Sequence, residues 1–177
     1  MVKELFITGA GVSAGSGIPT FRGSDGFWTI GSVNYTPQEM ATRKMYEDNP
    51  IQFLLWYYKR FATYKDSKPN IVHRWLSDKK LITQNIDGLD FKAGNVDYIP
   101  IHGRLDKLVM YDNEMKFQEP IDAKWEDIEE KLDDEELSHH LLKKFKISTV
   151  NGISKPKIGF SFKPFVLLFD EMYTEVY

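Results

Sequence analysis

Residues 9–23 read GAGVSAGSGIPTFRG, and the first six of them, Gly9-Ala10-Gly11-Val12-Ser13-Ala14, match the G-x-G-x-x-A pattern of a phosphate-binding turn. In such a turn Gly9 allows the tight bend and Gly11 lets the backbone approach a pyrophosphate closely. Free N–H groups at the start of the following helix then favour the anion. A plain tight turn between a strand and a helix would use the same residues. Further on, the run Thr83-Gln84-Asn85-Ile86-Asp87 offers an amide that donates and accepts, and a carboxylate that accepts from N–H groups. His102, followed by Gly103, supplies an imidazole suited to take a proton from a hydroxyl near neutral pH. Tyr57 and Arg60 stand at i and i+3, so a helix would put a phenol and a guanidinium on one face, where they could bind a carboxylate. The plainer reading of that pair is a packing aromatic beside a solvated cation. His73 on a helix is a packing or capping residue, and the adjacent His139 and His140 diverge by about 100° on a helix, a poor metal pair.

These groups need elements to hold them. Glu4 to Thr8 is a short apolar run that enters the glycines as a buried strand. Asn49-Pro50 starts a helix, Asn as cap and Pro in the first turn, and Ile51, Leu54, Leu55, Tyr58, Phe61 and Ala62 recur at helical spacing. Lys68-Pro69-Asn70 ends it, and Asn70 caps a second helix over Ile71 to Ser77. Lys80 to Gln84, Asp97 to Ile101, Leu105 to Met110 and Pro164 to Phe169 read as further strands. Strands alternating with helices predict an α/β fold around a parallel sheet. Glu119 to Leu137 holds ten acids and two lysines, a net of −8, and Ser138 to Pro164 holds six lysines and no acid. That segment reads as a solvated helix with a basic flank. No internal repeat is visible.

The chain has 177 residues, enough for one domain with a real core. Its 12 Phe, 9 Tyr and 4 Trp predict a core or pocket of large flat side chains. A net charge of −3 provides no overall field toward nucleic acid. With no cysteine, disulfides, a thiol nucleophile and any Cys-ligated zinc are excluded. No segment resembles a targeting peptide, and the apolar runs are too short to span a membrane, so a cytoplasmic location is expected by default.

Taken in order, the GAGVSAGSGIPTFRG run, TQNID and the His102-Gly103 pair resemble the sirtuin family of NAD-dependent protein deacylases. Pro69-Asn70 with His73, Ala93-Gly94, and Lys163-Pro164-Phe165-Val166 with Glu171 are smaller matches. The resemblance implies a Rossmann-like parallel sheet with an inserted helical small domain, over about 26–78, in a single domain covering 1–177. It implies that His102 is the catalytic base. Gly9, Ala10, Gly11, Ser13, Gln84, Asn85, Ile86 and Asp87 would surround NAD, and Thr20, Phe21, Arg22 and Trp28 would belong to the cofactor side. Phe21 would shield the reacting centre from water. Thr20-Phe21-Arg22, Asp25-Gly26-Phe27-Trp28, Tyr57 and Arg60 resemble the class III sirtuins. Tyr57 and Arg60 would then bind the carboxylate of a succinyl- or malonyl-lysine.

The reaction so implied removes an acyl group, acetyl or succinyl/malonyl, from a lysine of a protein or peptide, giving nicotinamide and O-acyl-ADP-ribose. A sirtuin-fold ADP-ribosyltransferase or NAD hydrolase is one alternative, and an inactive NAD-binding or partner protein is another. The pattern departs from the family in two places. The zinc cysteines are absent, and an acidic, variable segment over about 111–162 stands where the zinc module would be, so no metal is expected. The chain also stops at Tyr177, short of the family's later adenosine-binding strand, so an incomplete C-terminal part and an exposed sheet edge are expected.

Overall fold

Three short strands lie parallel in the computed structural model, which describes residues 4–20, 35–113, 118–129 and 132–173. They are β1 (Phe6–Thr8), β2 (Leu81–Thr83) and β3 (Tyr98–Pro100), side by side in that order. Each crossover carries helices: α1 (Gly11–Ala14), α2 (Pro37–Met40), α3 (Arg43–Asp48), α4 (Pro50–Tyr64) and α5 (Ile71–Trp75) between β1 and β2, and α6 (Leu89–Lys92) between β2 and β3. The strand–helix alternation of the sequence thus forms the expected α/β sheet. Its register sets Ile7, Ile82 and Ile99 in one row, of which Ile7 and Ile99 are more than half exposed.

Two expected strands join a different sheet. Strand β4 (Gly103–Met110) pairs antiparallel with β8 (Phe162–Val166) and with the two-residue β5 (Ile121–Asp122). The reason is covalent: Ile101 and His102 alone separate β3 from β4, and a parallel crossover needs a dozen residues or more. The chain must turn out of the first sheet, and it turns at the histidine.

The acidic segment is not one solvated helix. It contains β5, a 3₁₀ turn at Trp125–Asp127 and only the start of α7 (Asp134–Lys144). Its apolar members Ala123, Trp125, Ile128 and Leu137 are buried. Asp134 pairs with Lys59 and Asp122 with Lys107, and other acids act locally. Asp133 caps α7 by accepting from Glu135 N at 3.0 Å and Glu136 N at 2.9 Å, acids fill the first turn, and Lys143 and Lys144 fill the last. Both ends complement the helix dipole. The hairpin β6 (Ser148–Val150) and β7 (Ile153–Lys155) follows.

Aromatic side chains build the core. Tyr46, Phe53, Trp56, Tyr57, Tyr58, Tyr111, Trp125 and Phe145 are buried in a single cluster joining α3, α4, α7, β4 and β8. Trp125 meets Tyr58, Phe61 and Phe145 at ring distances of 5.6, 5.4 and 5.9 Å, pinning α7 across α4. Helix α4 begins as expected, with Asn49 Oδ1 accepting from Gln52 N. It buries more of its surface than one stripe, because partners lie on both sides. No helix among the described residues is long and apolar enough to cross a membrane.

Candidate active site

The ends of β1 and β2 bring the glycine turn and the TQNID run together. Thr8 Oγ1 donates to Thr83 Oγ1 at 3.0 Å, and Gln84 N donates to Thr8 O at 3.0 Å, so the two chains leave the sheet in step. Beyond them lies a compact polar relay. Asn85 Nδ2 donates to Gly9 O and to Ser13 Oγ, both at 3.1 Å, and Ser13 Oγ donates to Asp87 Oδ2 at 2.6 Å. The other oxygen, Asp87 Oδ1, accepts from Leu89 N at 2.9 Å and starts α6. Ser13 and Asn85 are buried, so these bonds fix their orientation.

The helix after the glycines is a single turn, α1, stopped at Gly17 with its φ of +83°. A helix this short has little dipole, so an anion placed here would meet backbone N–H groups rather than the field of a long helix. Space for an approaching group exists: a Cβ built on Gly11 would meet nothing within 4 Å. Asn70, foreseen only as a cap, also steadies this turn. It caps α5 and donates through Nδ2 to Val12 O at 2.7 Å and Ser16 Oγ at 3.0 Å. His73 is fully buried and accepts at Nδ1 from Asn70 N, the packing and capping role expected of it.

His102 sits at the bend between β3 and β4. Its Nδ1 lies 2.9 Å from Gln84 O. A carbonyl only accepts, so Nδ1 carries the proton and the lone pair of the neutral ring stands on Nε2. Gly103 explains why the histidine is followed by glycine. With φ at +80°, a Cβ there would fall 2.1 Å from Phe165 O, so only glycine lets β8 lie this close. Leu167 N then donates to His102 O at 3.0 Å.

A cavity of about 360 Å³ opens between these parts, lined by Ala10, Gln84, Asn85, Ile86 and His102 from the strand ends. Tyr57 and Arg60 of α4, Leu167 to Phe169, Glu171 and Tyr173 are among its other lining residues. A smaller cavity of about 80 Å³ shares Ala10, Arg60, Asn85 and Ile86 and adds Ser13 and Asp87. The i, i+3 pair therefore does face one pocket. Arg60 is buried, stacks over the Trp56 ring at 3.5 Å and donates from Nη1 to Trp56 O at 2.9 Å. Burial lowers its pKa to about 10, with Tyr57 and Tyr64 opposing. It remains a cation at neutral pH.

Of the residues singled out in the sequence, Gly9, Ala10, Gly11, Ser13, Gln84, Asn85, Ile86, Asp87 and His102 converge on the strand ends, with Tyr57 and Arg60 across the cavity. Thr20 is half-buried, at the end of a described stretch. Phe21, Arg22 and Trp28 lie outside the described residues. Two contributors escaped the sequence reading. Thr83, within TQNID, orients Asn85 by accepting from its N–H at 3.2 Å. Tyr173, whose Oη is 2.6 Å from His102 Nε2, had no motif to mark it beyond its place two residues after Glu171.

Known proteins share this sequence and fold in part. An NAD-dependent protein deacylase 1 from Caldanaerobacter subterraneus is 39% identical over 111 residues, 59% of this chain and 44% of that protein. Its namesake from Archaeoglobus fulgidus is 41% identical over 106 residues, 56% of this chain and 42% of that one. This chain thus spans less than half the length of these curated relatives. Among solved structures, a Sir2 homolog–NAD complex shares the fold with a TM-score of 0.64 at 29% identity, over 96% of this chain and 58% of that one. A mutant Sir2 homologue bound to ADP ribose gives 0.65 at 27%, over 96% and 59%. The shared architecture is Rossmann-like. The Sir2 family model itself matches from the first glycine of the turn onward, residues 9–177, and the chain belongs to the Sir2 family.

Proposed function

We propose that this chain removes acyl groups from protein lysines with NAD as co-substrate, His102 acting as general base. One observation carries the reading: Gln84 O holds the His102 ring with its basic Nε2 directed away from the backbone, at a cavity bordered by Asn85 and the glycine turn. The relatives named as NAD-dependent deacylases and the NAD and ADP-ribose complexes support it.

The residues fit the cofactor on their own chemistry. Open space over Gly11 suits a phosphate approached by backbone, and the Asn85–Ser13–Asp87 relay offers amide, hydroxyl and carboxylate groups for a ribose and a carboxamide. When bound, NAD supplies an electrophilic ribose carbon and a nicotinamide leaving group. The chain's own part is to orient and to move a proton. Asn85 and Ser13 hold the sugar side, Asp87 accepts from the amide, and Nε2 of His102 is the base on which the deprotonation of a ribose hydroxyl finally rests. We read Thr20, Phe21, Arg22 and Trp28 as the cofactor-side cover, as the family resemblance implies.

The test is nicotinamide release from NAD by the purified chain, with and without an acyl-lysine peptide. Release that requires the peptide and falls at least about a hundredfold in His102→Ala is expected for a general base. Release without peptide would replace this reading with NAD hydrolysis. No release in the parent would remove the enzymatic reading altogether.

A further inference from the structure

A neutral imidazole has one N–H and one in-plane lone pair. In His102 the N–H is spent on Gln84 O, and the lone pair on Nε2 is met by Tyr173 Oη at 2.6 Å, which must be the donor. A ligand hydroxyl entering the cavity therefore reaches the phenol oxygen before it reaches the nitrogen. That oxygen has lone pairs left to accept a second proton. Both partners are tied to one strand end. Leu167 N binds His102 O, and Glu171 fastens the following turn through Leu168 N at 3.0 Å and Lys163 Nζ at 2.7 Å.

We propose that Tyr173 is a further catalytic residue, relaying the proton of a ligand hydroxyl to His102; this rests on His102 being the base of the deacylation proposed above. In the step, the ligand O–H bond breaks as Oη accepts its proton, and the Oη–H bond breaks as Nε2 takes the phenol's own proton. The electron pair of the broken bond stays on the ligand oxygen, the phenol is regenerated, and the imidazolium donates from Nδ1 to Gln84 O and from Nε2 back to Oη. The Tyr173 side of the cavity is thus part of the base rather than a wall.

Tyr173→Phe is the test, and because Tyr173 is 61% exposed the variant keeps the fold. Two readouts are needed. In the free protein, ¹⁵N NMR of the histidine rings should show His102 as the Nδ1–H tautomer, with its Nε2 resonance moving in Tyr173→Phe toward that of a nitrogen without a hydrogen bond. In turnover, kcat should fall about a hundredfold while KM for NAD and for the acyl-lysine peptide stays put, as expected for loss of a proton-transfer group. An unmoved Nε2 resonance overturns the relay. So does a retained or raised kcat, which would make Tyr173 a plug that competes with the ligand. A parent without peptide-dependent release removes the deacylation reading and the relay with it, whereas an active parent with an undiminished Tyr173→Phe removes the relay alone.

Discussion

At the scale of single residues, the site is organised by what each polar atom can and cannot do. Gln84 O can only accept, and this one constraint decides which nitrogen of His102 is basic. Arg60 is a buried cation at the cavity, stacked on Trp56, and we propose that it and Tyr57 bind the carboxylate of a succinyl- or malonyl-lysine. Arg60→Met is expected to cut turnover of a succinyl-lysine peptide at least about tenfold more than that of an acetyl-lysine peptide, one lost charged hydrogen bond being enough for that difference. Equal losses on the two peptides would remove the carboxylate pocket. Asp90 is almost wholly buried, and burial raises its pKa, with His73 opposing. The folded protein then holds a proton that the unfolded chain releases, so stability falls as pH rises from the ordinary carboxylate range near 4 through the raised folded value. Asp90→Asn should flatten that limb in urea unfolding measured between about pH 4 and 7.

At the scale of elements, caps and close approaches matter more than length. The helix after the glycine turn is one turn long, and α5 is little longer, so Asn70 does work that packing cannot. Asn70→Ala is expected to cost more than the ~1 kcal/mol of an ordinary cap, because two hydrogen bonds to the turn go with it. NAD affinity measured by calorimetry should weaken in parallel. The pairing of β4 with β8 depends on Gly103 in the same way. Gly103→Ala places a methyl group on Phe165 O at a positive φ, and a loss of at least about 2 kcal/mol in denaturant unfolding is expected.

At the scale of the whole molecule, the turn that carries Tyr173 is held by a buried ion cluster. Lys163 donates to both oxygens of Glu171, at 2.8 and 2.7 Å, and Arg43 stands 3.6 Å from the same carboxylate. Asp170 beside it accepts from Arg43 N at 2.6 Å and Lys44 N at 3.0 Å, capping α3 from a distant part of the chain. Strand β8, helix α3 and the cavity wall are thereby one unit. Burial pulls the Lys163 pKa down, and the neighbouring Glu171 carboxylate is what keeps the ammonium charged. Glu171→Gln retains the acceptor for Leu168 N yet strands that ammonium, so a loss of about 3–5 kcal/mol is expected from urea unfolding. Lys163→Met combined with Glu171→Gln should lose less than the single change, since an uncompensated buried charge costs more than an absent pair.

Sequence alone determined whatever depends on local order: the strand that enters the glycines, the Asn49 and Asn70 caps, the TQNID run, the histidine followed by glycine, and the exclusion of cysteine-bound zinc. Those features act over a few residues, and hydrogen-bonding capacity and backbone freedom are written in residue type. Tertiary structure decided the rest. Which sheet β4 joins, the burial of Trp125 within an acidic segment, the reach of Asn70 to the glycine turn and the meeting of Tyr173 with His102 all depend on partners far apart in sequence. No local pattern encodes such pairs, because they exist only once loop closure and core packing have brought distant segments to one place.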